Sequence, residues 1–554
     1  MHIWFNHEYI LKTKHISIAI LSAMVALPTM AQETYESAKI ATEDLNGTAR
    51  YVGMGGAMEA LGADISTIGT NPAGIGLFRR SSATFSFGAL NTPIEGGYLK
   101  ALGKYGADSK TPMSFDQGGF VISLNDGMSE SYINVGFNYH KSRNFNEVLS
   151  LMGRLNGASQ SKVAYIKGLR GSSYSGGYSI DKNKNGEYMG YDDDKSDYTS
   201  RNFSQMDYIL WNTFIVDPNT GEYGYNDGSD FAFARDQKGY IGEYDINLSG
   251  NVRDRVFWGF TVGLKDVNYR HTSAYRENLV DGNNAAAGDL FTVDDRNIDG
   301  YGFDIKGGII FCPIEDNPFR IGLSVSTPTW YTLTSENYTT IANNTDYGLY
   351  DNGKTSESIK YKMYTPWKFG FSLGQTYGQD LAVGLSYEYA DYSTIDNRNI
   401  TDEYYDDYYG NYDIDSESDR YMNDNTKECL KGVHTLKLGA EAKVTPELSL
   451  RAGYNYVSPM YKKTGMRSSC LDANGCYYMS TTDYVNWKDT HRVTCGLGYA
   501  FSNFNVDFAY QFSTQKGDFY PMESISTQGV VNSPNAIEVK NERHQFLMTL
   551  GFKL

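Results

Sequence analysis

The sequence predicts an all-β fold: a transmembrane antiparallel β-barrel of about 14 strands, with an N-terminal hatch plugging the lumen. Three observations predict it. An export signal opens the chain, apolar residues alternate with small or polar ones along its length, and short connections alternate with long ones.

The export signal comes first. Lys12 and Lys14 precede an apolar run over 16–28, and Thr29-Met30-Ala31 supplies small residues where a signal peptidase cuts. That run is too short to span a membrane as a helix and matches the apolar region of a signal peptide. Residues 1–31 are therefore read as a signal peptide, with the mature chain beginning near Gln32. No cysteine stands at the cleavage site, which argues against a lipoprotein.

Composition agrees with a barrel. The 554 residues include 46 Tyr, 57 Gly and only 13 Pro. Tyrosine suits strands that meet a membrane interface, where an amphipathic ring sits among headgroups. The mean hydropathy of -0.47 leaves no room for helical spans of about 20 apolar residues each. A barrel tolerates it, because every second residue faces away from lipid. The net charge of -17 argues against a nucleic-acid partner, which requires a basic surface, and places acidic residues in solvated outer loops.

The strands follow from period-2 alternation. In 131–141, Ile133, Val135, Phe137 and Tyr139 point one way and Asn134, Gly136, Asn138 and His140 the other. In 255–265, Trp258, Phe260, Val262 and Leu264 alternate with Phe257, Gly259, Thr261 and Gly263. The expected strand cores are 81–91, 115–124, 131–141, 241–250, 256–266, 301–312, 319–328, 361–374, 381–392, 432–443, 448–457, 491–501, 504–514 and 543–554. Short turns follow the even-numbered strands and long polar stretches the odd-numbered ones, as in outer-membrane barrels with short periplasmic turns. A soluble sandwich gives no reason for that succession. The last strand runs His544, Phe546, Met548, Leu550, Phe552 and Leu554 to the terminus on one apolar face, as barrel-insertion signals do, although these usually end in Phe. The barrel domain is thus 81–554, with a longest outer loop over 142–240.

Residues 32–80 do not alternate, and are too apolar for a free tail, so the lumen is where they would pack. Gly47-Thr48-Ala49-Arg50-Tyr51-Val52-Gly53-Met54-Gly55-Gly56-Ala57, then Ala63-Asp64-Ile65-Ser66-Thr67, then Asn71-Pro72-Ala73-Gly74, resemble the N-terminal hatch of the FadL/TodX family of outer-membrane transporters for long-chain fatty acids and aromatic hydrocarbons. Leu450-Arg451-Ala452-Gly453-Tyr454 and Val506-Asp507-Phe508-Ala509-Tyr510 extend the resemblance through the barrel, while the outer loops do not match. It implies a fourteen-stranded barrel that passes hydrophobic small molecules passively. Outer loops capture the ligand, an apolar pocket holds it, and a hatch carrying Asn71, Pro72, Ala73 and Gly74 lets it leave through the side of the barrel. The family's opening depends on a kink in the third strand, for which Gly136 is the candidate here.

The remaining chemistry is sparse. Apolar residues in 146–155 and 208–216 (Val148, Leu149, Leu151, Met152, Ile209, Leu210, Trp211, Phe214) form either a capture groove or the small core of the loop itself. Asp181, Asn183, Asn185 and Asp192 have the oxygen spacing of a calcium loop, as do Asp295, Asn297 and Asp299, where Lys306 replaces the closing acid. No cofactor is expected beyond a structural calcium ion at these stretches. Asp, Asn and Gly are also ordinary turn residues. The stretch 391–428, rich in acid and Tyr, reads as a solvated outer loop. Cys470 and Cys476 bracket five residues and fit a local disulfide in an oxidising compartment, whereas Cys312, Cys429 and Cys495 have no evident partner. No motif groups a nucleophile with a base, so no enzyme is expected. The expected partners are a hydrophobic ligand, outer-membrane lipid and the barrel-assembly machinery, around a monomer in a Gram-negative outer membrane. Two other functions stay open: a surface-binding or antigenic barrel whose loops engage partners, and haem uptake, for which abundant Tyr is no discriminator.

Overall fold

The computed structural model describes residues 33–93, 100–105, 112–124, 130–171, 178–184, 188–192, 196–215, 224–315, 317–345, 352–406, 411–467, 479–527 and 529–554. The signal peptide, Asn185, Cys470 and Cys476 lie outside them.

Fourteen antiparallel strands pair in chain order, and the last pairs with the first. They are β1 (Ser82–Asn91), β2 (Met113–Ser123), β3 (Tyr132–Asn144), β4 (Asp227–Val252), β5 (Val256–Val280) and β6 (Ala286–Phe311). Four interrupted strands follow: β7 (Arg320–Ser326, Trp330–Asn344), β8 (Asn352–Tyr364, Lys368–Tyr377), β9 (Leu381–Asp391, Asp396–Asp406) and β10 (Asn411–Ser418, Gly432–Lys443). The set closes with β11 (Leu448–Val457), β12 (Tyr484–Ala500), β13 (Phe504–Tyr520) and β14 (Ile537–Lys553). All fourteen expected cores fall on these strands. Closure leaves no edge strand, which a sheet in hydrocarbon requires. No helix among the described residues is long and apolar enough to cross a membrane.

The two faces sort as alternation demands. Ile133, Phe260, Leu264, Phe508 and Phe546 are exposed on the outside, while Asn134, Asn138, Thr261 and Asp507 are buried inside. A contiguous apolar exterior around a polar interior is the reverse of a soluble sandwich and fits a lipid-facing wall.

Several strands run further than alternation indicated. β4, β5 and β6 span 26, 25 and 26 residues, well beyond the expected 241–250, 256–266 and 301–312. Their upper outward positions, such as Arg270, Thr272, Asp295 and Asn297, are polar. Where neither face meets lipid, apolar periodicity vanishes although backbone pairing continues. Part of the expected 142–240 loop is therefore strand β4. Glu147–Arg154 adds a strand paired with the upper part of β4, and the other described residues form a roof: a helix (Gln160–Gly171), a three-stranded sheet (Tyr178–Lys182, Tyr188–Asp192, Asp197–Asn202) and a short helix (Gln205–Leu210). Val148, Leu149, Leu151, Ile209, Leu210 and Trp211 are buried, and most join Phe519, Met522 and Val539 in one core. These residues hold the roof together, and among those whose side chains are described only Met152 is exposed, so the capture-groove alternative gives way to a loop core. The expected solvated loop 391–428 also turns inward in part, for its helix Arg420–Cys429 packs on the N-terminal segment, where Thr426 Oγ1 lies 3.0 Å from Thr34 Oγ1.

The third strand corrects a further expectation. Gly136 sits in regular register with Val121 on β2 and Asn247 on β4, so both sides are tied and no kink forms there. The irregularity lies higher, between Lys141 and Arg143.

Candidate functional site

Residues 33–80 lie inside the barrel, and their sequence explains how. Thr48 caps a short helix (Ala49–Gly53) by accepting the Tyr51 N–H at 3.1 Å. Its hydroxyl donates to Asp64, and Ser66 Oγ accepts the Thr48 N–H at 2.8 Å. Gly47, at φ +145, leaves room for Ser66, which a side chain would strike. The resemblance-bearing segments 47–57 and 63–67 are thus one folded unit. Asn71 caps the turn Pro72–Leu77 through the Ala73 N–H at 3.2 Å, with Pro72 at its first position.

This plug rests on a shelf of inward-facing glycines, one from each of six consecutive strands. A Cβ at Gly308 (β6) would overlap the Asn71 side chain, and one at Gly322 (β7) would come within 3.0 Å of it. At Gly374 (β8) it would press on Leu61 at 3.1 Å. At Gly384 (β9), Gly439 (β10) and Gly453 (β11) it would overlap the backbone of Ala57, Met54 and Gly55. Glycine is required because backbone packs on backbone. Ion pairs fix the rotation of the plug. Arg50 meets Glu441 at 2.8 Å, Arg451 bridges Glu441 and Asp507, and Glu59 takes Lys437 at 2.7 Å.

A second polar cluster joins plug and wall. Glu43 pairs with Lys265 at 2.9 Å and Lys368 at 2.7 Å, while Lys306 lies 3.0 Å from Asp245 and contacts Glu243. His140, Glu243 and Asp245 place their ligand atoms within 4.8 Å of one another, as a metal would need. The ammonium groups of Lys265 and Lys306 already neutralise those carboxylates, so a divalent ion there would face two cations.

Between plug and barrel wall lies a cavity of about 230 Å³. Phe145, Val433, Val457, Met460, Tyr461 and Trp487 give it apolar walls. Its lining carries charges of both signs, Glu43, Glu147, Glu243, Glu388 and Arg235 among them, and at one end three arginines gather at Asp44 of the plug. Asp44 accepts from Arg143 on β3 at 2.9 Å and from Arg543 on β14 at 3.2 Å. Arg492 on β12 also lines the cavity and donates to Asn455 at 2.8 Å. Three guanidinium groups therefore surround one acid. Burial would raise the Asp44 pKa, but Arg143 and Arg543 overcome it and hold the carboxyl below the usual range. Lys39, also on the plug, is bonded to Gln237 and Tyr269 rather than to an acid, and burial pushes it down to about 8.

The wall beside this cavity is incompletely paired. β2 and β3 pair only from Ser123↔Asn134 to Gln117↔His140. Above that, β2 continues on β1 as far as Met113↔Ala89, and β3 continues on β4 as far as Asn144↔Tyr240. Lys141 and Asp116, 3.7 Å apart, bridge the resulting seam. A second, small pocket shares Asp44, Asn144 and Arg543 with the cavity and is also lined by Leu90 and Lys141.

Among residues singled out in the sequence, Asn71, Pro72, Ala73 and Gly74 come together at the shelf. The second calcium-like stretch forms no loop, and the first is described only in part. Asp295, Asn297 and Asp299 lie along the straight strand β6, where Asp295 accepts from Thr272 and Asp299 from Asn268. Alternate residues of a strand stand about 7 Å apart, too far to wrap one ion. Asp181 and Asp192 sit in a hairpin, opposite Met189 and Tyr178, three rungs apart. Asn183 reaches the Met189 sulfur. The residues that line the cavity, Lys39, Asp44, Arg143, Arg492 and Arg543, were missed. Alternation turns Arg492 and Arg543 inward, which was the available signal; Arg143 falls on the outward set and is turned in only by the irregularity between Lys141 and Arg143, and Lys39 and Asp44 lie on the plug, where no alternation applies.

Comparison with known proteins gives no matching family model and no matching curated protein. Solved structures similar to this one include a FadL homologue of Pseudomonas aeruginosa, at 13% identity and a TM-score of 0.46, covering 92% of this chain and 99% of that one. The toluene transporter TbuX of Ralstonia pickettii is 11% identical, with a TM-score of 0.43 over 92% of this chain and 99% of that one. The toluene transporter TodX of Pseudomonas putida is 11% identical, with a TM-score of 0.44 over 93% and 99%.

Proposed function

We propose that this protein carries hydrophobic small molecules with an acidic head, long-chain fatty acids foremost, passively across a Gram-negative outer membrane. The observation that supports this best is the cavity, which pairs apolar walls with three arginines around one carboxylate, Asp44. A hydrocarbon tail gains about 0.8 kcal/mol per buried CH₂ against such walls. A carboxylate head is drawn to Arg492 and competes with Asp44 for Arg143 and Arg543.

That competition supplies a gate. Asp44 ties the plug to the upper end of β3, where its N–H also donates to the Ser142 carbonyl at 2.8 Å and Asn46 donates to the Lys141 carbonyl at 3.0 Å. A ligand head that takes the arginines loosens 43–46 beside the β2–β3 seam. Lateral exit through the seam then delivers the tail to lipid rather than to water. No bond is made or broken, so the reading needs no catalytic residue or cofactor. A barrel serving only as an anchor for its loops has no use for this cavity.

The test is uptake of a labelled long-chain fatty acid in cells lacking their own transporter, at matched surface expression. The native chain should raise uptake, and Arg143→Gln with Arg492→Gln, or Asn71→Ala with Pro72→Ala, should reduce it severalfold. Equal uptake by native and arginine-free chains would refute the role of the cavity.

A further inference from the structure

The outer face of the barrel carries a repeated side-chain pair that transport through the lumen does not use. Tyr387 on β9 hydrogen-bonds His434 Nδ1 on β10 at 2.7 Å. Tyr454 on β11 does the same with His491 on β12 at 2.6 Å, and Tyr510 on β13 with His544 on β14 at 2.8 Å. In each case the second aromatic of the strand, Tyr389, Tyr456 or Phe512, stands directly opposite the histidine and packs on it. Of the five histidines among the described residues, two face the lumen and all three outward ones occupy this motif.

The three pairs lie at one height. Each histidine is nine residues from the short-turn end of its strand, at Lys443, Ala500 and Lys553. Nine residues reach about 30 Å along a strand, or about 21 Å of height at a tilt near 45°. That is the upper margin of an apolar band about 25 Å tall. Below it the outward residues are Leu438, Val493, Leu497, Phe508 and Phe546; above it come Asp489, Lys516, Lys540 and Glu542. On the opposite arc the same height holds Tyr244, Tyr301 and Phe303 with no imidazole.

The hydrogen bond orients each ring. A phenol is the better donor and a neutral imidazole nitrogen the better acceptor, so Nδ1 accepts and Nε2 carries the proton. His491 agrees, since its Nε2 lies 2.8 Å from an Asp489 oxygen. His434 and His544 thus turn an N–H donor toward the headgroup layer, while His491, between them on β12, gives its own to Asp489 and would have to exchange that carboxylate for a phosphate.

We propose that this arc of β9–β14 binds the phosphate groups of an outer-leaflet phosphoglycolipid, holding the barrel to its annular lipid on one side. The lipid is the fitting occupant because the surface lies at headgroup depth, directly above an apolar band. The inference rests on the outer-membrane placement proposed above but not on transport, and a lipid-binding readout keeps the two separable.

The test is native mass spectrometry of the purified full-length chain in detergent, with diphosphoryl lipid A, its dephosphorylated form, or inorganic phosphate as probe. The native chain should retain diphosphoryl lipid A about tenfold more than His434→Phe/His491→Phe/His544→Phe, a loss in the range expected for charge-assisted hydrogen bonds. The corresponding His→Gln variant, which keeps an N–H donor, should recover most of the retention and stands in if the Phe variant fails to fold. Dephosphorylated lipid should bind both chains alike, and millimolar inorganic phosphate should not displace the lipid. Equal retention of diphosphoryl lipid A by native and Phe chains would overturn the proposal. So would displacement by inorganic phosphate alone, which would mark a free-phosphate site. Fatty-acid uptake by the Phe variant should stay at the native level.

Discussion

Replacing Asp44 by Asn tests the proposed competition inside the lumen. The substitution keeps the shape of the side chain and removes the one carboxylate that Arg143 and Arg543 share, at 2.9 and 3.2 Å. Two opposite charges at about 4 Å attract by about 4 kcal/mol at an effective dielectric near 20. After desolvation, a hydrogen bond to a charged group is worth about 1.5–3 kcal/mol net. A ligand carboxylate must displace that interaction in the native chain and meets no competitor in the variant. Affinity for a fatty acid should therefore rise about 10- to 100-fold. Without ligand, the unpaired arginines should weaken the chain, since breaking a buried ion pair costs about 3–5 kcal/mol. Thermal unfolding should come earlier and recover with saturating fatty acid. Fluorescence titration of a labelled fatty acid into the purified barrel reads the first effect. Unchanged or weaker binding by Asp44→Asn would refute the idea that Asp44 stands where the ligand head goes.

Other outcomes follow from the same contacts. Gly439→Val puts a branched side chain against the Met54 carbonyl, and overpacking of this kind costs about 1–3 kcal/mol; the plug should become cleavable by trypsin at Arg50 while the barrel keeps its heat-modifiable mobility. Lys39 is held down to about 8 by burial, so its charge is lost well below the usual lysine range. An alkyl sulfonate, whose own head does not titrate, should lose affinity as pH rises from 7 through 8 to 9.5, whereas an ordinary lysine would hold it past pH 10. Between about 8 and 10.4 the unfolded chain binds the extra proton, so Lys39 contributes stability that grows with pH over that window, a sign that unfolding measurements at pH 7.5 and 9.5 can check. Lys167 is buried in the roof between Asp207 and Glu523, at 3.0 Å from each. Lys167→Met strands both acids, and protease access to 142–226 should increase with no change in the barrel.

The sequence by itself determined the wall. Alternation is imposed by lipid on one side and lumen on the other, so Ile133, Phe260, Phe508 and Phe546 announce their faces, and turn lengths announce the strand order. It could not show where strands end, because above the membrane both faces of β4–β6 are wet and the constraint that writes the pattern is gone. A non-alternating, apolar segment over 32–80 pointed to the lumen as its packing place, and the resemblance to a transporter hatch put Asn71-Pro72-Ala73-Gly74 in that plug. Only the tertiary structure decided what the lumen does with its charges. Asp44 and Arg543 are 499 residues apart in the chain and 3.2 Å apart in space. The closure that brings them together depends on fourteen registers at once, and no local spacing encodes it. The same holds for the shelf beneath the plug, where Gly384 and Gly439 look like any strand glycine until the backbone of Ala57 and Met54 lies against them.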